Sequence, residues 1–289
     1  MQQYKDVLKD VLENGSYRAN PHNPDSTDEA SLGLPGLRMS FDLCDGKLPL
    51  ITLRSLQGSW KPLVEELLWF LSGSTNVRDL QARGVHFWDA WEGPDTSEAY
   101  GYSGGELGPI YGHQWRNFGA TRNLSGTYRN NGFDQIAQLV EDLTERPDSK
   151  RHMVTTWNPI DANAVFIAPC HGIFKCFVAN GELTLMMFQR SADLPVGVPF
   201  NIASYSLLTH MLAQVTGLKA REFIHFLGDA HIYMNQVDNV RELLKREPRP
   251  SPRIQLNPEV SSVFDFHFGD FTLLDYDPHP AMKGIPVAT

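Results

Sequence analysis

The dipeptide Asn180-Gly181, set between two apolar runs, constrains the fold of this chain more than any other short feature. Asn and Gly tolerate the positive φ angles of a two-residue hairpin turn, so the pattern predicts paired strands over 173–179 and 183–189. Pro169-Cys170-His171 precedes this hairpin. Gln189-Arg190-Ser191 follows it and runs on through Asp193, Gly197 and Pro199-Phe200-Asn201. A candidate nucleophile, a fixed cation, a carboxylate and a carboxamide thus fall within about thirty residues. Such a set could bind a small anionic heterocycle and attack it covalently. Few purely structural stretches carry so many polar groups between apolar strands.

Helical periodicity marks 3–13, 61–71, 133–145, 202–216 and 237–246. Further strands are expected at 37–52, interrupted by Asp45-Gly46, and at 152–157 and 223–227. Paired strands are expected over 264–274 around Gly269-Asp270. Residues 14–36 and 92–109 are rich in turn formers and read as connections, while 278–289 has no regular pattern. No repeat, low-complexity segment or flexible linker divides the chain. One α+β domain over 1–289 is the expectation.

Charge narrows the partners. With 34 acidic and 25 basic residues the formal net charge is −9, which opposes broad contact with nucleic acid or an anionic membrane. A small anion held by a local arginine cluster remains compatible. Three cysteines, Cys44, Cys170 and Cys176, do not make a disulfide framework and suit a reducing compartment. The amino-terminal pattern is an amphipathic helix rather than a signal peptide, and no apolar run approaches a membrane span. A cytoplasmic location is therefore expected. No metal is expected, because CxxC, HExxH and Asp-rich calcium patterns are missing, as are GxxxxGK and GxGxxG phosphate fingerprints.

Residue by residue, two readings compete. Cys170 is a nucleophile if its thiolate forms and is exposed, which Arg190 would favour, or else a core cysteine. The core reading is kept for Cys176 and Cys44. Arg190 with Ser191 suits a phosphate, the alternative being an ion pair with Asp193. His171 is an orienting or proton-relaying group, or a satisfied strand-end histidine. Asn201 can read a uracil-like edge, where N–H and C=O sit side by side, or can cap a helix. Glu66 stands in an otherwise apolar helix, where it would border a cavity, gain a raised pKa and relay protons; Glu65 reads as the solvated neighbour. Trp88, Trp91 and Tyr111 offer flat surfaces for stacking on planar rings, or fill the core. His231 and Tyr233 share one side of an extended segment and suit sugar or phosphate oxygens.

Taken together, these residues resemble the classical, folate-dependent thymidylate synthase family, which also includes pyrimidine nucleotide hydroxymethylases. The matching blocks are Glu66 to Leu71 with Gly73 and Thr75-Asn76, Trp88-Asp89 with Trp91, and Leu107-Gly108-Pro109 with Tyr111-Gly112 and Gln114-Trp115-Arg116. They continue through Asp134-Gln135, Trp157-Asn158, Pro169-Cys170-His171, and Gln189-Arg190-Ser191 with Asp193, Gly197 and Pro199 to Tyr205. Gly228-Asp229 with His231, Tyr233 and Asn235 completes the set, so the resemblance spans roughly 37–289.

The resemblance implies a mixed β-sheet with flanking helices and a homodimer whose sheets pack back to back. It implies dUMP as substrate and 5,10-methylenetetrahydrofolate as cosubstrate, without a metal. Carried onto this chain, Cys170 adds to C6 of the pyrimidine. Arg190 and Ser191 hold phosphate, Gln189 and Asn201 contact the nucleotide, and His231 and Tyr233 bond the sugar hydroxyl. Asp193 anchors the folate ring, with Trp88, Trp91, Gly197 and Arg54 on the folate side. Glu66 organises water and assists folate activation, while Tyr111 and His171 belong to the proton-transfer network. Lys150 and Arg151 stand where the family has paired arginines that reach the partner subunit's phosphate site.

The chain departs from the family between Tyr17 and Gly36, where an Arg-Thr-Gly-Thr-like phosphate loop is replaced by a longer segment containing Arg18. Lys150 keeps a charge but lacks the guanidinium fork. Arg54 aligns with a position that is commonly lysine. Two alternatives stand beside reductive methylation. A dUMP 5-hydroxymethylase would use the same folate, with water replacing hydride. A non-catalytic nucleotide- or RNA-binding protein would tolerate loss of Cys170 or Glu66, yet both are present. Asn201 favours uracil, where aspartate would suggest cytosine. The ending Pro286-Val287-Ala288-Thr289 is close to the family's closing tail and favours reduction over hydration.

Overall fold

In the computed structural model, which describes residues 1–20, 23–122 and 128–287, the chain opens with α1 (Gln2–Asn14). Tyr4, Val7, Leu8 and Val11 form its buried stripe. Two strands follow, β1 (Ser16–Arg18) and β2 (Ser31–Asp42). The expected loop over 14–36 is therefore too long, and the expected strand at 37–52 starts too late. Turn-forming composition around Pro35-Gly36 yields here to pairing with a long neighbouring strand, and Gly36 takes up the kink at φ 72°. That strand ends at Asp42, and Asp45 at φ 58° turns the chain out of the sheet.

Helices α2 (Trp60–Ser72), α3 (Val77–Gln81), α4 (Tyr111–Arg116) and α5 (Gln135–Glu145) come next. Gly73 ends α2 in the left-handed region, and Asn76 and Asp134 cap α3 and α5 through their side chains. The predicted hairpin forms between β4 (His171–Ala179) and β5 (Glu182–Gln189), with β3 (Met153–Thr155) on its outer edge. Asn180 and Gly181 take φ of 54° and 75°, as a primed turn requires. After the two-residue β6 (Ala192–Asp193), α6 (Gly197–Val215) crosses to β7 (Lys219–Tyr233), which lies parallel to β5. Such a parallel crossover needs a helix, and α6 is apolar nearly all round because it is buried nearly all round.

Sheet order is β1-β2-β7-β5-β4-β3, with β6 also on β7, so parallel and antiparallel pairs mix. β7 extends well beyond the expected 223–227 because it is central. One sheet face buries Met39, Phe41, Phe174, Cys176, Leu185, Met187, Phe223 and Leu227 in the core that α6 and α1 share. Alternation sends Phe177, Phe188 and Phe226 to the other face, where they are exposed in the single chain.

Beyond α7 (Val237–Leu244), the expected hairpin within 264–274 is not formed. Instead β8 (Arg253–Leu256) pairs with β9 (Phe271–Leu274). The alternating aromatics before Gly269 find separate partners: Phe266 is buried against Phe271 at 5.5 Å between centroids, and the exposed Phe264 carries the Arg116 guanidinium at 3.8 Å. No helix among the described residues is long and apolar enough to cross a membrane. The tail residues Ala288 and Thr289, and residues 21–22 of the divergent loop, lie outside the described residues.

Candidate active site

The open ends of the hairpin bring its flanking motifs together. His171 pairs with Gln189 across the two strands, and Arg190 N–H donates to the Cys170 carbonyl at 2.8 Å. Cys170 N–H donates to the Tyr111 hydroxyl, also at 2.8 Å. Both backbone polar groups of Cys170 are thus fixed, one residue before a strand, and the half-buried residue lines a cavity. Cys176 is buried in the strand core, as expected, and burial pushes its thiol up to about 12.

Arg190 does not pair with Asp193. Its guanidinium donates to the Ala168 carbonyl at 3.1 Å and lies 5.2 Å from the Trp157 ring centroid. The side chain is exposed, so its remaining N–H groups can meet an anion.

Two adjoining cavities of about 280 and 310 Å³ share part of their lining, and Cys170 faces the first. Both are lined by Glu66, Trp88, Trp91, Val196, Gly197, Asn201 and Val287. Glu66 accepts from the Trp88 indole at 2.7 Å. Burial outweighs that bond and pushes its carboxyl up to about 7. Trp88 is held by rings on several sides, with Trp69, Trp91 and Tyr111 between 5.5 and 5.8 Å of it. Glu65, by contrast, is not the solvated carboxylate: it is buried and pairs with Arg83 at 3.2 Å. The helix turns both carboxylates inward, and only Glu65 finds a cation.

A polar floor joins α6 to the sheet. Asn201 is the fifth residue of α6 and not its cap. Its Oδ1 accepts from Gln189 Nε2 at 2.9 Å, and Gln189 Oε1 in turn accepts from His225 Nε2 at 2.8 Å. This chain of bonds fixes the orientation of the Asn201 amide and leaves its N–H groups for a ligand. Burial pushes His171 down to about 4 and His225 to about 3, so both are neutral near pH 7. His171 Nδ1 has no hydrogen-bond partner among the described residues.

The far end is built on β6 and the end of β7, where Asp193 pairs with His231. Ser191, Asp193, His231 and Tyr233 all line the first cavity. Burial raises the Asp193 carboxyl, against the favourable His231 and Gln236. The sequence reading overlooked Gln236, a fully buried amide bonded to Asp193 at 3.3 and 3.4 Å. Its signal was a polar residue just beyond the His231-Ile232-Tyr233 strand end. Arg18 is held by Asp229 through two bonds of 2.7 Å, its guanidinium lying over Gly33, which has no Cβ to block it.

Three expected residues stand apart. Arg54 lines neither cavity; it is buried and donates to the Pro195 carbonyl at 3.0 Å, behind the loop that carries Asp193. Lys150 and Arg151 are exposed on the turn before β3, also outside the cavities. Among the described residues no cluster of three or more His, Cys, Asp or Glu could hold a metal ion. The arrangement can place a thiol, a fixed amide and a proton-sharing carboxyl around one planar ligand, with a second carboxylate facing an apolar slot. The family model described as thymidylate synthase matches residues 2–288, which extends the likeness upstream of residue 37.

Proposed function

The chain belongs to the thymidylate synthase family, and on that premise we propose that it reductively methylates dUMP to dTMP with 5,10-methylenetetrahydrofolate. At the family level this is folate-dependent methylation or hydroxymethylation of a deoxyuridylate. The observation that carries the finer reading is Val287. This tail residue lines both cavities beside Glu66, Trp88 and Trp91, where it would shut water from the reacting carbon.

Cys170 Sγ adds to C6, and the displaced electron pair makes C5 nucleophilic. Negative charge grows on O4, which the oriented Asn201 amide and water held by Glu66 and His171 stabilise. Folate, when bound, supplies the methylene carbon and the hydride. The two cavities together fit such a ring: Trp88 and Trp91 give both of them flat apolar walls, Phe87 adds one to the second, and the Asp193 carboxylate in the first can accept from ring N–H groups. Glu66, poised near neutrality, can hand a proton to a leaving nitrogen. Tyr111, beside Cys170, is the candidate to relay the C5 proton. His231 and Tyr233 hold the sugar hydroxyl, and Ser191 and Arg190 the phosphate.

The exposed Phe177, Phe188 and Phe226 support a homodimer joined through that sheet face, with Lys150 and Arg151 reaching the partner's phosphate site. Mixing K150A/R151A protein with Cys170→Ala protein should then restore activity, since one hybrid site has every residue. No recovery in mixtures shown to exchange subunits would reject that role.

The reaction is tested with purified protein, dUMP and methylenetetrahydrofolate, resolving nucleotides by mass while following dihydrofolate absorbance. dTMP with an equal amount of dihydrofolate supports methylation. 5-Hydroxymethyl-dUMP without dihydrofolate would overturn it in favour of the hydroxymethylase. Base choice is tested at Asn201. Asn201→Asp should lower kcat/KM for dUMP by about 10²-fold and narrow its lead over dCMP, because a buried polar mismatch costs about 1–3 kcal/mol. An unchanged dUMP/dCMP ratio would remove Asn201 from base recognition.

A further inference from the structure

Gln236 does not line either cavity, yet three groups that frame the site converge on its amide. It is completely buried. Its Oε1 accepts from Tyr233 N–H at 3.0 Å, which orients the amide and turns Nε2 the other way. Nε2 then donates to the Pro286 carbonyl at 2.9 Å and, at 3.3 and 3.4 Å, to the two oxygens of Asp193. Pro286 immediately precedes Val287, the tail residue facing Glu66 and Trp88. One side chain therefore touches the sugar end, the carboxylate end and the tail.

The bond lengths rank these contacts. The tail carbonyl receives the short bond, and Asp193 receives two long ones, so its carboxylate keeps acceptor capacity for a ligand. If the tail lifts, a fully buried N–H loses its best partner, which disfavours the open state. If Asp193 engages a ligand, its hold on Nε2 loosens and the amide is freer to grip Pro286.

We propose that Gln236 is the positioning residue that seats the carboxy-terminal tail and couples that seat to occupation of the Asp193 carboxylate. The proposal rests on the reading of Asp193 as the folate anchor given above. Gln236 touches no reacting atom; it acts by holding Val287 where it excludes water.

The test uses full-length protein and two variants. Gln236→Met keeps length and removes every bond. Gln236→Glu keeps the acceptor for Tyr233 N–H and replaces the two donations with an oxygen that repels Pro286 and Asp193. Trypsin cleavage after the exposed Lys283 reports the tail, followed by intact mass with dUMP alone and with dUMP plus tetrahydrofolate. Wild-type protein should be cleaved about tenfold more slowly with both ligands than with dUMP alone. Both variants should lose that protection and form hydroxymethyl product, while Gln236→Glu binds dUMP within about twofold of wild type. Equal protection in wild type and Gln236→Glu would overturn the proposal. So would loss of dUMP binding in both variants, which would make Gln236 a brace for the site as a whole. If wild type itself gains no protection from tetrahydrofolate, the folate reading of Asp193 fails instead, and the proposal with it.

Discussion

Cys170→Ala is expected to cut kcat by at least about 10⁴-fold while the protein still folds and binds dUMP. Without addition at C6, C5 stays an unactivated ring carbon, and no other group in the cavity can take over. Cys176 is buried within β4 in the core with its thiol pushed up to about 12, and Cys44 is not the core cysteine expected but half-buried, its sulfur accepting from the Arg221 guanidinium. The substitution is structurally mild, because the Cys170 contacts with Tyr111 and Arg190 are made by its backbone and survive. Intact mass should therefore show a nucleotide-weight adduct on wild-type protein during turnover and none on the variant. Cys44→Ala, outside the site, should retain wild-type kcat. An adduct persisting in Cys170→Ala, or a loss under about tenfold, would sink the covalent mechanism.

Much of this site was legible because its residues are grouped in short segments that the backbone keeps together. The Asn180-Gly181 turn determines that whatever precedes 171 meets whatever follows 189, so Cys170 and Arg190 become neighbours by strand register alone. Glu66 was conspicuous as an acid among apolar residues, and its raised pKa follows from that setting. What could not be read depends on distant pairing. Residues 31–36 look like a loop until β7 offers them a partner, and the aromatics at 264–268 look like a strand until β8 takes the place of their partner. Glu65 reads as solvated until Arg83, from another helix's end, reaches it. Gln236 escaped notice because its meaning lies in Pro286, fifty residues away in sequence. Arg190 and Asp193, close in sequence and opposite in charge, looked like a pair; the strand end turns the guanidinium to the carbonyl at 168 instead.

Glu66→Gln should separate catalysis from stability at one position. The amide keeps an oxygen to accept the Trp88 indole N–H, so the wall of the cavity should persist. It cannot donate and recover a proton, so kcat should fall by about 10²–10⁴-fold, the usual worth of a positioned acid–base group. Stability of the ligand-free protein should move the other way. The folded carboxyl titrates at about 7, above its ordinary value of 4.5, because burial disfavours the charged form. The native state therefore binds this proton more tightly than the unfolded chain does. The resulting stabilisation is complete below about pH 4.5 and is lost as pH rises to about 7, amounting to about 3 kcal/mol. Trp88 and the rest of the wall are common to both proteins. His171 and His225, whose folded values are depressed by burial, work with the opposite sign but contribute equally to both. The difference in unfolding free energy between wild type and Glu66→Gln thus isolates residue 66. It should grow in favour of the variant from pH 4.5 to pH 7 and then level off, as denaturant melts at several pH values would show. A difference that stays flat across that window would mean Glu66 is ionised in the folded protein at pH 5 and cannot be the proton donor proposed for it.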